Sequence, residues 1–231
     1  AFRIQARGHD VYPYASLGTY SPYLVVHRTS VVKIDPSIPF EAAALVSCGV
    51  TTGWGSATRA ADVRPGEDVV VVGLGGVGMS ALQAAVNAGA RQVFAVEPAA
   101  WKHEMAFKFG ATHTYSDIEP ATSGVAEATA GRMAHKVIVT VGRINGADIE
   151  SYLSVTAKGG TCVTAMGAVL DTEVTLNVAL LSLLQKNLQG SIFGHGNPQY
   201  DIPMLLSMYQ AGKLNLDDMM SREYRLEQIN D

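Results

Sequence analysis

The residues with the clearest chemistry lie between positions 69 and 97. An unbroken apolar run, Val69–Val72, leads directly into Gly73-Leu-Gly75-Gly76-Val77-Gly78. A helical pattern follows, then a short turn at Gly89, a second apolar run at Val93–Val96, and an acid, Glu97. Strand, glycine turn, helix, strand and acid in that order form the site for a dinucleotide. Gly73 permits the tight strand-to-helix turn, Gly75 leaves the main chain bare for a pyrophosphate, and Gly78 lets the helix close on the strands. Gly76 and Val77 open that helix, whose first-turn amides have no intrahelical partner and favour an anion. Glu97 can accept hydrogen bonds from both hydroxyls of an adenosine ribose. A 2′-phosphate would meet its charge and be repelled, so NAD is expected over NADP.

Around this unit, strands and helices alternate. Helix is expected over Gly76–Ala88, with Val77, Ala81, Leu82, Ala85 and Val86 on one face. Further helices are expected over Ala99–Phe109, ending at Gly110, and over Ala121–Thr129, Ala147–Val155 and Val178–Gln185. Strands are expected at His113–Tyr115, Val137–Val141, Thr161–Ala165 and Leu188–Phe193. With the two strands of the fingerprint this makes six, joined mostly by crossovers: an α/β, Rossmann doubly wound, six-stranded parallel sheet. Upstream, the β-branched and aromatic run Tyr23–Ile34 reads as one or two strands. Residues 40–61 read as two helices with a kink or turn at Cys48-Gly49. Downstream, Pro198 opens a helix over Asp201–Ala211, and the tail reads as the start of another.

Composition narrows the partners. The chain has 231 residues, 48% hydrophobic and 16% charged, against roughly 25% charged in ordinary soluble domains, so it can bury a large core. A net charge of −4 without a basic run points away from nucleic acid and anionic membranes. No apolar stretch reaches the roughly 18 residues that span a bilayer. The N-terminus shows no signal-peptide pattern, and a reducing cytoplasm is the expected compartment. Two distant cysteines, Cys48 and Cys162, make neither a disulfide framework nor a CxxC zinc lobe. The six histidines show no pair at i, i+4. His195 follows Phe193-Gly194 and is a candidate for the cofactor cleft. Tyr12, Tyr14, Tyr20 and Tyr23 read as strand packing or as the lining of a substrate channel.

At Cys48-Gly-Val-Thr-Thr-Gly-Trp-Gly-Ser56, followed by Val72-Gly-Leu-Gly-Gly-Val-Gly78, the chain resembles the medium-chain zinc-dependent alcohol dehydrogenases. The resemblance extends to Val96-Glu-Pro98 with Lys102, to Val141-Gly-Arg143, and to Ile192-Phe193-Gly194. The tail, Gly196-Asn-Pro-Gln-Tyr-Asp-Ile-Pro203 with Ala211-Gly-Lys-Leu214, is similar to the actinobacterial nicotinoprotein (NDMA-dependent) subgroup, which holds NAD tightly. The resemblance implies hydride transfer between a small alcohol or aldehyde and NAD. Cys48 falls on one ligand of a catalytic zinc, which would lower the pKa of a bound alcohol. Thr52 and Val77 would lie beside the nicotinamide, and Met166, Ser191 and Phe193 on stretches whose backbone meets its carboxamide. Glu97 and Lys102 would hold the ribose, Arg143 would lie over the adenine, and Val141 would also contact the cofactor.

The resemblance also divides the chain. Residues 1–49 correspond to the end of a GroES-like β catalytic domain, 50–192 to the NAD-binding domain, and 193–231 to a partial return to the catalytic domain. The other zinc ligands of the family fall upstream of Ala1, so the chain is expected to be a fragment, weakly active or inactive alone. Thr175–Leu184 falls where the family's cofactor domains meet, which implies a homodimer. Two other readings stay open: a non-catalytic NAD-binding module, and a zinc-free medium-chain quinone or enone reductase.

Overall fold

The structure is a computed structural model that describes residues 4–11, 17–165 and 172–229. Its centre is a six-stranded sheet made of β3 (Asp68–Val72), β4 (Gln92–Val96), β5 (His113–Tyr115), β6 (Ala134–Val139), β7 (Thr156–Ala165) and β8 (Asn187–Ser191). The strands run in the order β5-β4-β3-β6-β7-β8, and every pairing is parallel. This is the doubly wound dinucleotide arrangement that the alternation implied, with the order reversing between β3 and β6.

Parallel strands covered on both faces need apolar residues on both sides of the pleat. Val69 and Val71 of β3 point into one core, and Val70 and Val72 into the other. The first core packs against α3 (Gly76–Asn87), α4 (His103–Lys108), α8 (Pro198–Gln210) and the helical run that precedes β3. The second packs against α5 (Ile118–Ala128) and α6 (Asp148–Val155). Helix α7 (Val178–Leu183) precedes the edge strand β8.

Several expectations need correction. Tyr23–Ile34 forms no strand; a single 3-10 turn, Arg28–Ser30, is its only regular element. Tyr23 and Val25 are 91% and 88% exposed. Aromatic and β-branched residues suit a pleated surface only where a neighbouring strand offers a ladder, and the described residues give them none. The upstream strands are instead β1 (Ile4–Ala6) and β2 (His9–Val11), an antiparallel hairpin turned by Arg7 and Gly8, both at positive φ. Residues 40–60 form one continuous helical run: α1 (Phe40–Leu45), a π-helical stretch Val46–Val50, α2 (Thr51–Gly55), and a second π-helical stretch Ser56–Ala60. The glycines there serve close packing. A Cβ on Gly53 would stand 2.9 Å from the Ala81 amide of α3. The last strand ends at Ser191, and Phe193 begins a left-handed turn. The tail holds short 3-10 turns, Asp217–Met219 and Leu226–Gln228.

Candidate functional site

The glycine turn does what its spacing implied. Gly73 has φ 86°, and its Cβ would crowd Val141 at 3.1 Å, so the turn requires glycine. A Cβ on Gly78 would run into the Gly73 carbonyl and stand 2.7 Å from Thr140 Oγ1. Thr140 itself donates to the carbonyls of Gly73 (2.7 Å) and Val72 (3.0 Å), which pins the turn to the end of β6. Gly75 and Gly76 behave differently. Nothing lies within 4 Å of a Cβ on either, and both are exposed. The main chain is thus bare where α3 begins, with its free amides turned outward.

Glu97 follows β4 and is 6% exposed. Its carboxylate accepts from the Leu74 amide of the glycine turn (2.8 Å), from the Ala99 amide (3.1 Å) and from Lys102 Nζ (3.1 Å). His103 Nε2 donates to its carbonyl at 2.7 Å. Burial by itself pushes this carboxyl's pKa up. The two amides and the Lys102 ammonium outweigh burial and hold it below its usual 4.5. Three donors occupy three of the roughly four acceptor positions of a carboxylate, so one remains for an added hydroxyl. The Leu74 bond was not visible in the sequence. Lys102, expected on the ribose, pairs here with Glu97, and its ammonium lies 5.5 Å from the Trp101 ring centroid.

Beside Glu97, the carboxyl ends of β3, β4, β5 and β6 surround a cleft of about 360 Å³. Pro98 and Val141 supply apolar walls, while Ser116, Asp117 and Tyr152 supply polar groups. Val141 was expected there; Ser116 and Asp117 were not. Their signal was positional, since each follows the end of a strand, where open α/β sheets bind ligands. Arg143 is exposed and makes no hydrogen bond or ion pair with the described residues.

Across the sheet, the helical run 40–60 closes on the same edge. A Cβ on Gly49 would sit 3.8 Å from Gly76, and Ser80 of α3 donates to the Val50 carbonyl at 2.8 Å. Cys48 is exposed in the first π-helical stretch, and Thr52 is buried one turn on. Val77 is half-buried. Ser191 is buried, with its hydroxyl bonded to that of Ser56 at 3.0 Å. His195 is exposed and bonds the Gly190 carbonyl at 2.9 Å. Cys162 is buried in β7, where burial pushes its thiol up to about 12; it is a core residue. Tyr20 and Tyr23 are 74% and 91% exposed, so they pack no strand. Met166, Tyr12 and Tyr14 lie outside the described residues. Among the described residues, no group of three His, Cys, Asp or Glu side chains could hold a metal. Cys48 alone does not make a zinc site, because three protein ligands are the usual minimum. No helix of the described residues is long and apolar enough to cross a membrane.

A strand-turn-helix anion site, a carboxylate locked to that turn and a cleft at the sheet's switch point are the parts of a dinucleotide-binding domain. Residues 76–211 match the sequence profile of the family described as zinc-binding dehydrogenase, and the chain belongs to that family. It is 71% identical over its whole length to alcohol dehydrogenase B of Mycobacterium tuberculosis (strain ATCC 25618 / H37Rv). It is 42% identical, again over its whole length, to the NDMA-dependent alcohol dehydrogenase of Amycolatopsis methanolica. In each case the chain spans 62% of the relative. The crystal structure of an alcohol dehydrogenase zinc-binding domain protein from Burkholderia ambifaria superposes with a TM-score of 0.79 at 29% identity, covering 86% of this chain and 53% of that one.

Proposed function

We propose that this chain is the NAD-binding part of an alcohol dehydrogenase that moves hydride between a small alcohol or aldehyde and NAD. One observation carries the reading: the Glu97 carboxylate is fixed by the Leu74 amide beside the bare main chain of Gly75. This contact supports reading Glu97 as a ribose acceptor next to an anion site. When bound, NAD supplies the hydride-accepting carbon. The residues of this chain bind and orient it. Gly75, Gly76 and the amides opening α3 take the pyrophosphate, and Glu97 takes a ribose hydroxyl at its remaining acceptor position, with Lys102 holding its charge. Pro98 and Val141 flank the base, with Arg143 over it. Val77, Thr52 and the stretches at Met166, Ser191 and Phe193 form the nicotinamide end. The negative charge on Glu97 selects NAD over NADP.

Similarity to the relatives named above supports the alcohol as substrate and the NDMA-linked, cofactor-retaining mode. In the intact protein Cys48 would be one ligand of a zinc, and further protein ligands would complete the site. The described residues do not form that site. On the same footing, residues 1–49 and 193–231 belong to the catalytic domain and 50–192 to the cofactor domain, and the compartment is the cytoplasm. A homodimer through α7 and β8 is the proposed assembly. Val178 and Leu183 on α7 are 67% and 71% exposed, and among the described residues β8 pairs only with β7. A strand edge open on one side beside exposed apolar side chains is a template for a second copy.

The test is a fluorescence titration of the chain with NADH and NADPH. NADH emission should shift to the blue and strengthen, with NADH bound at least about tenfold more tightly than NADPH. Unchanged NADH emission, or equal affinity for both, would refute the proposal.

A further inference from the structure

The turn after β8 adopts a conformation that its own sequence disfavours. Phe193, Gly194 and His195 are consecutively left-handed, with φ of 51°, 61° and 53°. Two of the three carry side chains that clash in this region, and such strain persists only where the surroundings impose it.

An ion pair between a partly exposed arginine and a buried aspartate braces it here. Arg59, at the end of the helical run 40–60, donates from Nε to the Gly194 carbonyl at 3.1 Å. The other two nitrogens of its guanidinium reach both carboxylate oxygens of Asp201, at 3.0 and 2.9 Å. Asp201 lies in the first turn of α8 and is only 2% exposed. Its carboxylate also accepts the Asn197 amide at 2.7 Å. Contact is close on the other side as well. A Cβ on Gly194 would stand 2.6 Å from Gly55 Cα and 2.8 Å from the Thr52 carbonyl. One rigid body therefore joins α8, the strained turn and the helix that carries Cys48 and Thr52.

The turn lies at the carboxyl end of β8, at the opposite edge of the sheet from the Glu97 crevice. A dinucleotide with its adenosine on Glu97 must extend across the switch point toward β6, β7 and β8. We infer that Arg59 and Asp201 are positioning residues for the nicotinamide end of the cofactor. They touch neither cofactor nor reacting atoms. They act through Gly194, fixing the backbone at Phe193 and Gly194 against which the nicotinamide rests. The inference rests on the dinucleotide reading of Glu97 and the glycine turn.

A merely structural pair would affect every ligand alike, whereas a positioning pair affects only ligands that contain nicotinamide. The experiment compares calorimetric affinities of the full chain for NADH and for ADP-ribose, which lacks that ring. It uses the wild type, Asp201→Asn and Arg59→Lys, the last keeping the charge but not the planar fork. The wild type should bind NADH more tightly than ADP-ribose. Both variants should lose about tenfold for NADH and stay within about twofold for ADP-ribose. Equal losses for both ligands, or no loss for either, overturn the inference. If Asp201→Asn does not fold, Arg59→Lys makes the same comparison. A wild type that binds both ligands equally overturns the positioning role and leaves the Glu97 reading intact. A wild type that binds neither removes that reading, and this inference with it.

Discussion

Replacing Gly75 and Gly78 by alanine, one at a time, separates binding from folding at the glycine turn. Gly75 sits at φ −81° and ψ −171°, a region open to alanine, with nothing within 4 Å of the added carbon. Alanine is a poorer helix cap than glycine, but it also restricts the unfolded chain, so the net cost should stay within about 1 kcal/mol. Gly78 is enclosed. Its added carbon would be driven into the Gly73 carbonyl and against Thr140 Oγ1, which already bonds that carbonyl at 2.7 Å. Overpacking of this kind costs about 1–3 kcal/mol. For a domain of this size, each kcal/mol moves the melting temperature by about 2–4 °C. Gly78→Ala should therefore lower it by about 2–12 °C, and Gly75→Ala by no more than about 4 °C. Binding reverses the ranking. The methyl of Gly75→Ala occupies the open side of the turn, where the phosphate would approach, and should weaken NADH at least about tenfold. Differential scanning fluorimetry and NADH titration on the same samples read both quantities. A Gly75→Ala protein that binds like the wild type would refute the reasoning, as would one that melts with Gly78→Ala.

Glu97→Gln keeps the shape of the side chain and removes its charge. It should weaken NADH several-fold and NADPH less, so that the preference between them narrows; equal losses in paired titrations would count against a ribose role. The same residue shapes acid stability. Its folded pKa lies below the usual 4.5, so its contribution is complete above that value and lost as pH falls through the folded one. The difference in melting temperature between the wild type and Glu97→Gln should shrink from about pH 6 toward about pH 3. A difference that grows on acidification would show that Leu74, Ala99 and Lys102 do not stabilise the carboxylate. The cysteines should separate under a thiol reagent, because Cys48 is exposed while Cys162 is buried with its pKa pushed up to about 12. One thiol should react in the native chain and both in denaturant; two rapid native reactions would place Cys162 outside the core.

Local pattern made the cofactor half of the chain legible. Val69–Val72, the three spaced glycines and Glu97 follow one another within a single strand-helix-strand unit, so the sequence states their order and contacts together. His113–Tyr115 is a strand at the expected residues, and β3, β4, α3, α6 and β7 overlap their expected spans. What sequence missed depends on partners far along the chain. Tyr23–Ile34 has strand composition, but no described strand pairs with it. Gly49 and Gly53 resemble helix breakers, yet they are the contact surface for α3, and the helical run continues through them. Arg59 and Asp201 lie 142 residues apart, and their pairing becomes visible only once α8 folds back onto the helical run. The same holds for Gln83, whose amide both donates to and accepts from the Asn215 backbone, at 2.9 and 2.8 Å. This pair ties the tail to α3. Glu97 was legible as an acid after a strand, but its bond to the Leu74 amide required the three-dimensional turn.

The central claim is that a dinucleotide lies across the sheet with its diphosphate on the opening of α3 and its ribose on Glu97. A crystal structure of the chain grown with NADH tests it most directly. The account predicts phosphate oxygens against the amides after Gly75 and a ribose hydroxyl within hydrogen-bond reach of the Glu97 carboxylate. A crevice without the coenzyme at saturating concentration, or a ribose seated away from that carboxylate, would contradict it.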